Sequence, residues 1–180
     1  YRTSGGGMTV SGGEPLMQPE FACALLAAAK AEGLHTCIET AGYVPWEALE
    51  KAVPLVDLFL YDIKETDPER HKQYTGVRNE RIRENLIRLD EMGCSVIMRC
   101  PMIPGLNDRE DHLRGIAALA NRLKHVQMIH IEPYNSFGES KSKSIGAEYA
   151  LKGLEMPEDE QVERWVHTVQ KYTDVPVIRS

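Results

Sequence analysis

The sequence predicts an α/β protein of about six parallel strands alternating with helices, either an incomplete, open β/α barrel or a doubly wound sheet. Three observations predict it. Short β-type apolar segments alternate along the chain with segments whose apolar residues recur at helical spacing. One strand segment, Leu58 to Tyr61, is apolar throughout, as a parallel strand covered on both faces is. A glycine-rich turn, Gly12-Gly13-Glu14-Pro15, lies where a strand hands over to a helix, the edge at which α/β folds take their ligands.

The first predicted strand is Met8 to Ser11, ended by Pro15. A helix follows from Gln18, with Phe21, Leu25, Ala28 and Ala29 as its buried face and Gly33 as its stop. His35 to Glu39 is the second strand, and Trp46, Leu49 and Val53 mark a shorter helix entered through Pro45. Val56 to Asp62 is the third strand. Two helices come next, one near Pro68 to Tyr74 and one with Ile82, Leu86 and Leu89 on its inner face, closed by Gly93. Ser95 to Met102 reads as strand, and Asp108 as the N-cap of a helix carrying Leu113, Ile116, Ala117, Ala120 and Leu123. Met128 to Glu132 is the fifth strand; Asn135 to Met156 is the least regular stretch, a connection of the length that is functional or mobile. The last helix starts near Pro157, buries Val162, Trp165, Val166 and Val169, and leads to a short strand at Pro176 to Ile178. Its acidic entry, Glu158-Asp159-Glu160, suits the positive end of a helix dipole better than a metal.

A chain of 180 residues is long enough for one domain, 1–180, and short for two. With 42% hydrophobic and 27% charged residues it reads as soluble, and a net charge of -6 with no basic stripe argues against nucleic acid as a partner. No apolar run approaches the roughly 18 residues of a membrane span. The given residues show no signal-peptide pattern, and a first residue of Tyr1 reads as an internal piece of a longer chain, which leaves targeting signals ahead of it open. The four cysteines, Cys23, Cys37, Cys94 and Cys100, lack the spacing of a zinc knuckle or an iron-sulfur loop, so they are expected as buried free thiols in a reducing, cytoplasmic setting.

Polar residues at the carboxyl ends of parallel strands face ligands, which singles out Glu14, Glu39 with Thr40, Asp62 with Lys64, and Asn135. Without Cβ atoms, Gly12 and Gly13 let a ligand approach bare peptide groups, while Glu14 adds a negative charge. Asp62 and Lys64 alternate onto one strand face, where they form either a rim salt bridge or part of a polar site. Arg99, inside an apolar strand, needs an acceptor, which a ligand carboxylate or a structural Asp or Glu supplies equally well. His130 and Glu132 share a strand face but are two ligands short of a metal site. His35, His71, His112, His125 and His167 are expected to be solvated.

The turn Gly12-Gly13-Glu14 resembles the Gly-Gly-Glu motif of radical S-adenosylmethionine enzymes, and Ser4 through Glu14 is similar to the glycyl-radical-enzyme activating enzymes, of the pyruvate formate-lyase activating enzyme kind. The resemblance recurs in His35 to Gly42, Tyr61 to Lys64, Gly93 to Arg99, Ile103 to Gly105 and Glu132 to Asn135, so it covers nearly the whole chain. It implies the open barrel of the radical SAM type and hydrogen abstraction from a partner's glycine by a 5'-deoxyadenosyl radical. Gly12, Gly13, Glu14, Glu39, Asp62, Lys64 and Asn135 would hold S-adenosyl-L-methionine. Glu39, Thr40 and Asp62, with the Leu60 carbonyl, would hold a monovalent cation.

Two positions depart from the family: Glu39 stands where aspartate is usual, and Asn135 where histidine is usual. The family's Cys-x3-Cys-x2-Cys loop, which holds its 4Fe-4S cluster, is absent from these residues. That loop and the family's first strand are expected before Tyr1, leaving this chain inactive alone, with Met8 to Ser11 as a sheet edge prone to self-association or to disorder in Tyr1 to Gly7. The implied partners are a glycyl radical enzyme such as pyruvate formate-lyase and an electron donor such as flavodoxin. Two readings compete: a non-catalytic S-adenosylmethionine or nucleoside-binding barrel, and a Schiff-base lyase using Lys64 as its amine.

Overall fold

Six strands run through one all-parallel sheet in the order in which the chain makes them: β1 (Gly7–Val10), β2 (His35–Thr40), β3 (Leu58–Asp62), β4 (Val96–Met102), β5 (Val126–Pro133) and β6 (Val177–Arg179). The helices are α1 (Pro19–Ala31), α2 (Trp46–Ala52), α3 (Pro68–Thr75), α4 (Glu80–Glu91), α5 (Glu110–Ala120) and α6 (Asp159–Gln170). This computed structural model describes residues 6–136, 151 and 153–180. The irregular stretch expected from Asn135 onward falls largely outside the described residues, as do residues 1–5 of the amino-terminal segment.

Strand order decides between the two architectures the sequence leaves open. A doubly wound sheet reverses its order at a switch point, which sends helices to both faces. Here the order never reverses, so among the described residues right-handed crossovers put the helices on one face and leave the other free, as in an open barrel. Among the described residues β1 pairs with β2 alone, so it lies at the sheet edge.

Alternation sorts the side chains. Ile38, Phe59, Tyr61, Met98, Cys100, Met102 and Ile131 face the helices and are buried. Glu39, Leu60, Asp62, Ile97, Arg99, Met128, His130 and Glu132 point to the free face and are partly exposed. The register aligns Leu60 with Ile97 and Ile97 with Met128, an apolar floor one step below the charged tips Asp62 and Arg99, which are also in register.

The buried faces expected for α4, α5 and α6 are the observed ones, except that Val166 on α6 is only partly buried. The chain leaves α1 through Gly33 at φ +72, its N–H on the Lys30 carbonyl and that of Leu34 on Ala29, a left-handed exit that glycine makes without strain.

The face of α1 itself is different from the expected one. Of the expected residues Ala29 is buried, together with Ala22 and Leu26, while Ala28 is exposed, as are Phe21 at 66% and Leu25 at 39%. Both stripes have helical spacing; the observed one puts small alanines on the sheet side and turns the bulky Phe21 outward. Three further expectations are corrected. His71 and His112 are buried rather than solvated, because Val77 O lies 2.7 Å from His71 Nδ1 and the Thr66 amide donates to His112 Nδ1 at 3.0 Å. Asp108 does not cap α5, whose N-cap is Arg109; its carboxylate accepts from the Gly105 amide at 2.8 Å and so closes the preceding turn. Of the four free cysteines, Cys37 and Cys100 are buried but Cys23 and Cys94 are only partly so.

Candidate functional site

The turn after β1 is tied to the tip of β2. Pairing between the two strands ends at Val10 opposite Ile38, and the next link is the Glu14 carboxylate. It accepts from Thr40 Oγ1, 2.9 Å from both of its oxygens, from the Ala41 amide at 3.0 Å and from the Leu16 amide at 3.2 Å. Glu14 therefore points inward as the N-cap of a short 3₁₀ turn, Pro15–Met17. Gly12 and Gly13 are left exposed, with nothing within 4 Å of the place a Cβ would take. The turn leaves the peptide groups of Gly12 and Gly13 open, and Glu14 sets their place.

The tip of β2 rests on the core. A Cβ at Gly42, where φ is +69, would lie 1.7 Å from Tyr61 Oη, so only glycine fits there. The Gly42 amide donates to Thr40 Oγ1 at 2.9 Å, and Asn85 Nδ2 donates to the carbonyls of Gly42 and Val44 at 2.8 and 3.0 Å. Tyr61 in turn donates to the Ile82 carbonyl at 2.7 Å.

Past β3 the loop bearing Lys64 is held by asparagines: Asn107 donates to the Lys64 carbonyl and Asn79 to that of Glu65, each at 2.8 Å. Below it Glu65 is buried and accepts from the Thr66 and Asp67 amides and from Arg109. Burial opposes ionisation of Glu65, but contacts with His112, the Asp67 amide and Arg109 outweigh it and hold its pKa at about 2.

On the free face five charged side chains meet. Arg99 bonds Glu132 through two nitrogens, at 2.5 and 3.0 Å, and its third lies 2.5 Å from Glu39 and 3.9 Å from Asp62. Lys64 Nζ is 3.6 Å from Asp62. Burial disfavours the Arg99 cation, yet the Glu132 and Glu39 carboxylates outweigh it and raise its pKa. Asp62 goes the other way: burial raises its pKa in spite of Lys64 and Arg99, and its Oδ1 is buried without a hydrogen-bond partner. Three carboxylates against two cations, with one oxygen orphaned, leave a site short of one positive donor.

The structure thus brings Glu39, Asp62 and Lys64 together and places Gly12, Gly13 and Glu14 at the same sheet edge, one strand beyond Glu39. Asn135 follows the end of β5 and is exposed. Thr40 shares its strand tip with Glu39, but its hydroxyl is turned to Glu14 and it is 2% exposed. Of the two acceptors the sequence allowed for Arg99, structural carboxylates are found. The links Thr40–Glu14 and Asn85–Gly42 were missed; a lone Asn85 within the apolar face of α4 was the available signal for the second.

Residues 2–116 match the radical SAM superfamily. The chain belongs to the radical SAM superfamily. It is 46% identical over 180 residues to a choline trimethylamine-lyase activating enzyme of Oleidesulfovibrio alaskensis, covering 98% of this chain and 58% of that one. It is 37% identical to a pyruvate formate-lyase-activating enzyme of Streptococcus mutans, covering 87% and 62%. Its fold is similar to the crystal structure of a domain of pyruvate-formate lyase-activating enzyme from Bacteroides vulgatus, with TM-score 0.80, 25% identity, and 97% and 99% of the two chains covered. The chain spans about half the length of the curated relatives it matches.

Radical SAM membership implies S-adenosylmethionine and a 4Fe-4S cluster. The donor set suits the first: peptide groups for the amino-acid end, and a surplus of carboxylate with an orphaned Asp62 oxygen for a ligand carrying ammonium and sulfonium charge. It does not suit the second. Cys23 lies on α1, Cys37 on β2, Cys94 in the loop before β4 and Cys100 on β4, and among the described residues no group of three or more His, Cys, Asp or Glu could hold a metal ion.

Proposed function

We propose that this chain is one barrel domain, 1–180, of an activating enzyme that installs a glycyl radical on a partner enzyme, and that it supplies the S-adenosylmethionine pocket. The observation that carries the pocket is Asp62 Oδ1, buried without a hydrogen-bond partner and no nearer than 3.9 Å to Arg99, at strand tips that gather three carboxylates and two cations. An incoming ammonium relieves both deficits at once, whereas a sulfonium offsets the charge alone. The Gly12 and Gly13 peptides take the amino-acid end, with Glu14 fixing them from behind. Glu39, Asp62, Lys64 and Asn135 continue the pocket, and Lys64 is placed to meet the ligand carboxylate or ribose. Given one electron from the cluster, the bound ligand would supply hydrogen abstraction; the protein contributes orientation and exclusion of water.

The names of the relatives support a glycyl radical enzyme as partner, of the choline trimethylamine-lyase or pyruvate formate-lyase kind; an electron donor such as flavodoxin is a further part of this reading. The cluster belongs in this reading to a part of the protein outside these residues. A monovalent cation at Glu39, Thr40 and Asp62 belongs to it too, sharing Glu39 with Arg99; potassium dependence of ligand affinity tests it. Self-association through the edge strand β1 is a further part, read from the sedimentation of the chain.

Calorimetric titration with S-adenosylmethionine tests the pocket. Binding by the wild type, weakened at least about tenfold by Asp62→Ala, is the expected result; no heat with the wild type overturns it. Formation of a glycyl radical on an added partner, followed by electron paramagnetic resonance, tests the activity of the whole protein. Lys64 as a Schiff-base nucleophile is disfavoured, because it is half exposed and paired with Asp62 rather than desolvated among cations.

A further inference from the structure

Between the end of the β1–β2 ladder and the start of α1 the chain carries the two glycines that offer their backbone to a ligand. Neither has a neighbour within 4 Å of where a Cβ would be, so the surrounding structure does not wall them in. Their place is set from one side, through the next residue, Glu14. Its carboxylate reaches Thr40 Oγ1, which is 2.9 Å from both oxygens, and the Ala41 and Leu16 amides at 3.0 and 3.2 Å.

Thr40 is fixed in its turn. The Gly42 amide donates to its hydroxyl at 2.9 Å, so the hydroxyl proton is left for Glu14 and the direction of the chain of bonds is set. Gly42 cannot shift inward, because Tyr61 Oη stands behind it, and Asn85 holds its carbonyl at 2.8 Å. A β-branched residue in a strand has restricted χ1, which keeps the hydroxyl aimed. Rigidity therefore passes from two buried side chains of β3 and α4, through Gly42 and Thr40, to the exposed turn.

We propose that Thr40 is a positioning residue for the Gly12-Gly13 turn: its buried hydroxyl, acting through Glu14, sets where the turn's peptide groups stand and so how tightly S-adenosylmethionine is held. The ligand in this inference rests on the functional reading above, whereas the latch rests on the hydrogen bonds alone, and the experiment separates them. In the whole protein, Thr40→Val keeps the shape and removes the hydroxyl, and Thr40→Ser restores it. Amide hydrogen exchange at Leu16 and Ala41 reads the latch without ligand, and titration with S-adenosylmethionine reads its consequence.

Thr40→Val should speed exchange at both amides and weaken binding about tenfold, the worth of one hydrogen bond to a charged group. Thr40→Ser should behave as wild type in both. Glu14→Gln should move both readouts the same way, and its combination with Thr40→Val should cost less than the sum. Unchanged exchange in Thr40→Val overturns the latch. Faster exchange with unchanged affinity overturns the positioning role, and a serine variant as weak as valine overturns the part given to the hydroxyl. A wild type that binds no S-adenosylmethionine sinks the functional reading and leaves exchange to decide the latch.

Discussion

Arg99 grips Glu132 with two parallel hydrogen bonds across the β4–β5 pair, Nε to Oε1 at 2.5 Å and Nη2 to Oε2 at 3.0 Å. Its remaining nitrogen turns the other way, to Glu39 on β2 and toward Asp62 on β3. One guanidinium thus spans the tips of four strands on a face where the described helices give no cover. The fork is what makes this work, since a point-charge ammonium could not serve two directions with fixed geometry.

Replacing Arg99 by leucine leaves Glu39, Asp62 and Glu132 facing one another with only Lys64 to offset them. Because these side chains are partly open to water, the cost falls below that of a fully buried pair, at about 2 kcal/mol. Arg99→Lys should lie between. Urea unfolding of both variants near neutral pH checks the order; a leucine variant as stable as wild type would show that solvent alone relieves the carboxylates.

Gly42 is the tightest point of the site. A methyl there meets Tyr61 Oη at 1.7 Å and Cζ at 2.2 Å, in a backbone conformation that alanine adopts only with strain. Gly42→Ala should cost roughly 2 kcal/mol or more. Since the ring carbon clashes as well as the hydroxyl, adding Tyr61→Phe should not rescue it. Thermal melts of the single and double variants decide this, and full rescue by phenylalanine would show that the oxygen alone is in the way.

The succession of strands and helices along the chain was legible because period-two and period-3.6 patterns do not resemble one another, and the tips Glu39, Asp62 and Lys64 were legible as polar ends of apolar runs. Partners across strands were not. Glu132 meets Arg99 because of the β4–β5 register, and Glu14 meets Thr40 because a turn folds back over β2; neither follows from spacing along one chain. His112 was misjudged because a polar residue on a helix reads as solvated unless its buried partner, Glu65 on another element, is known. The open alternative of a doubly wound sheet closed only with strand order, which no single-strand pattern encodes.

The face of α1 makes a direct test of where periodicity misleads. Phe21 is 66% exposed, and Leu26 is fully buried between the helix and the sheet. Phe21→Ser should therefore change stability by no more than about 0.5 kcal/mol. Leu26→Ala should cost about 3 kcal/mol. Chemical denaturation of the two variants measures both; the reverse ranking would mean that α1 is turned by one residue from the orientation described.

Acid should weaken the fold through Glu65. Its carboxylate is held at about 2, below the ordinary 4.5, so the stability it contributes is complete above the unfolded value and is lost as pH falls from about 4.5 toward about 2. Between pH 7 and pH 3 the loss amounts to about 2 kcal/mol. Asp62, whose pKa is raised by burial, works in the opposite sense and recovers part of it, because burial costs its charged form and protonation relieves that cost. Glu65→Gln should flatten the acid limb of the stability profile while lowering stability at neutral pH, since Arg109 and the Asp67 amide then face a neutral acceptor. Urea midpoints from pH 7 to pH 3 compare the two proteins, and an acid limb as steep in Glu65→Gln as in wild type would assign it to other carboxylates.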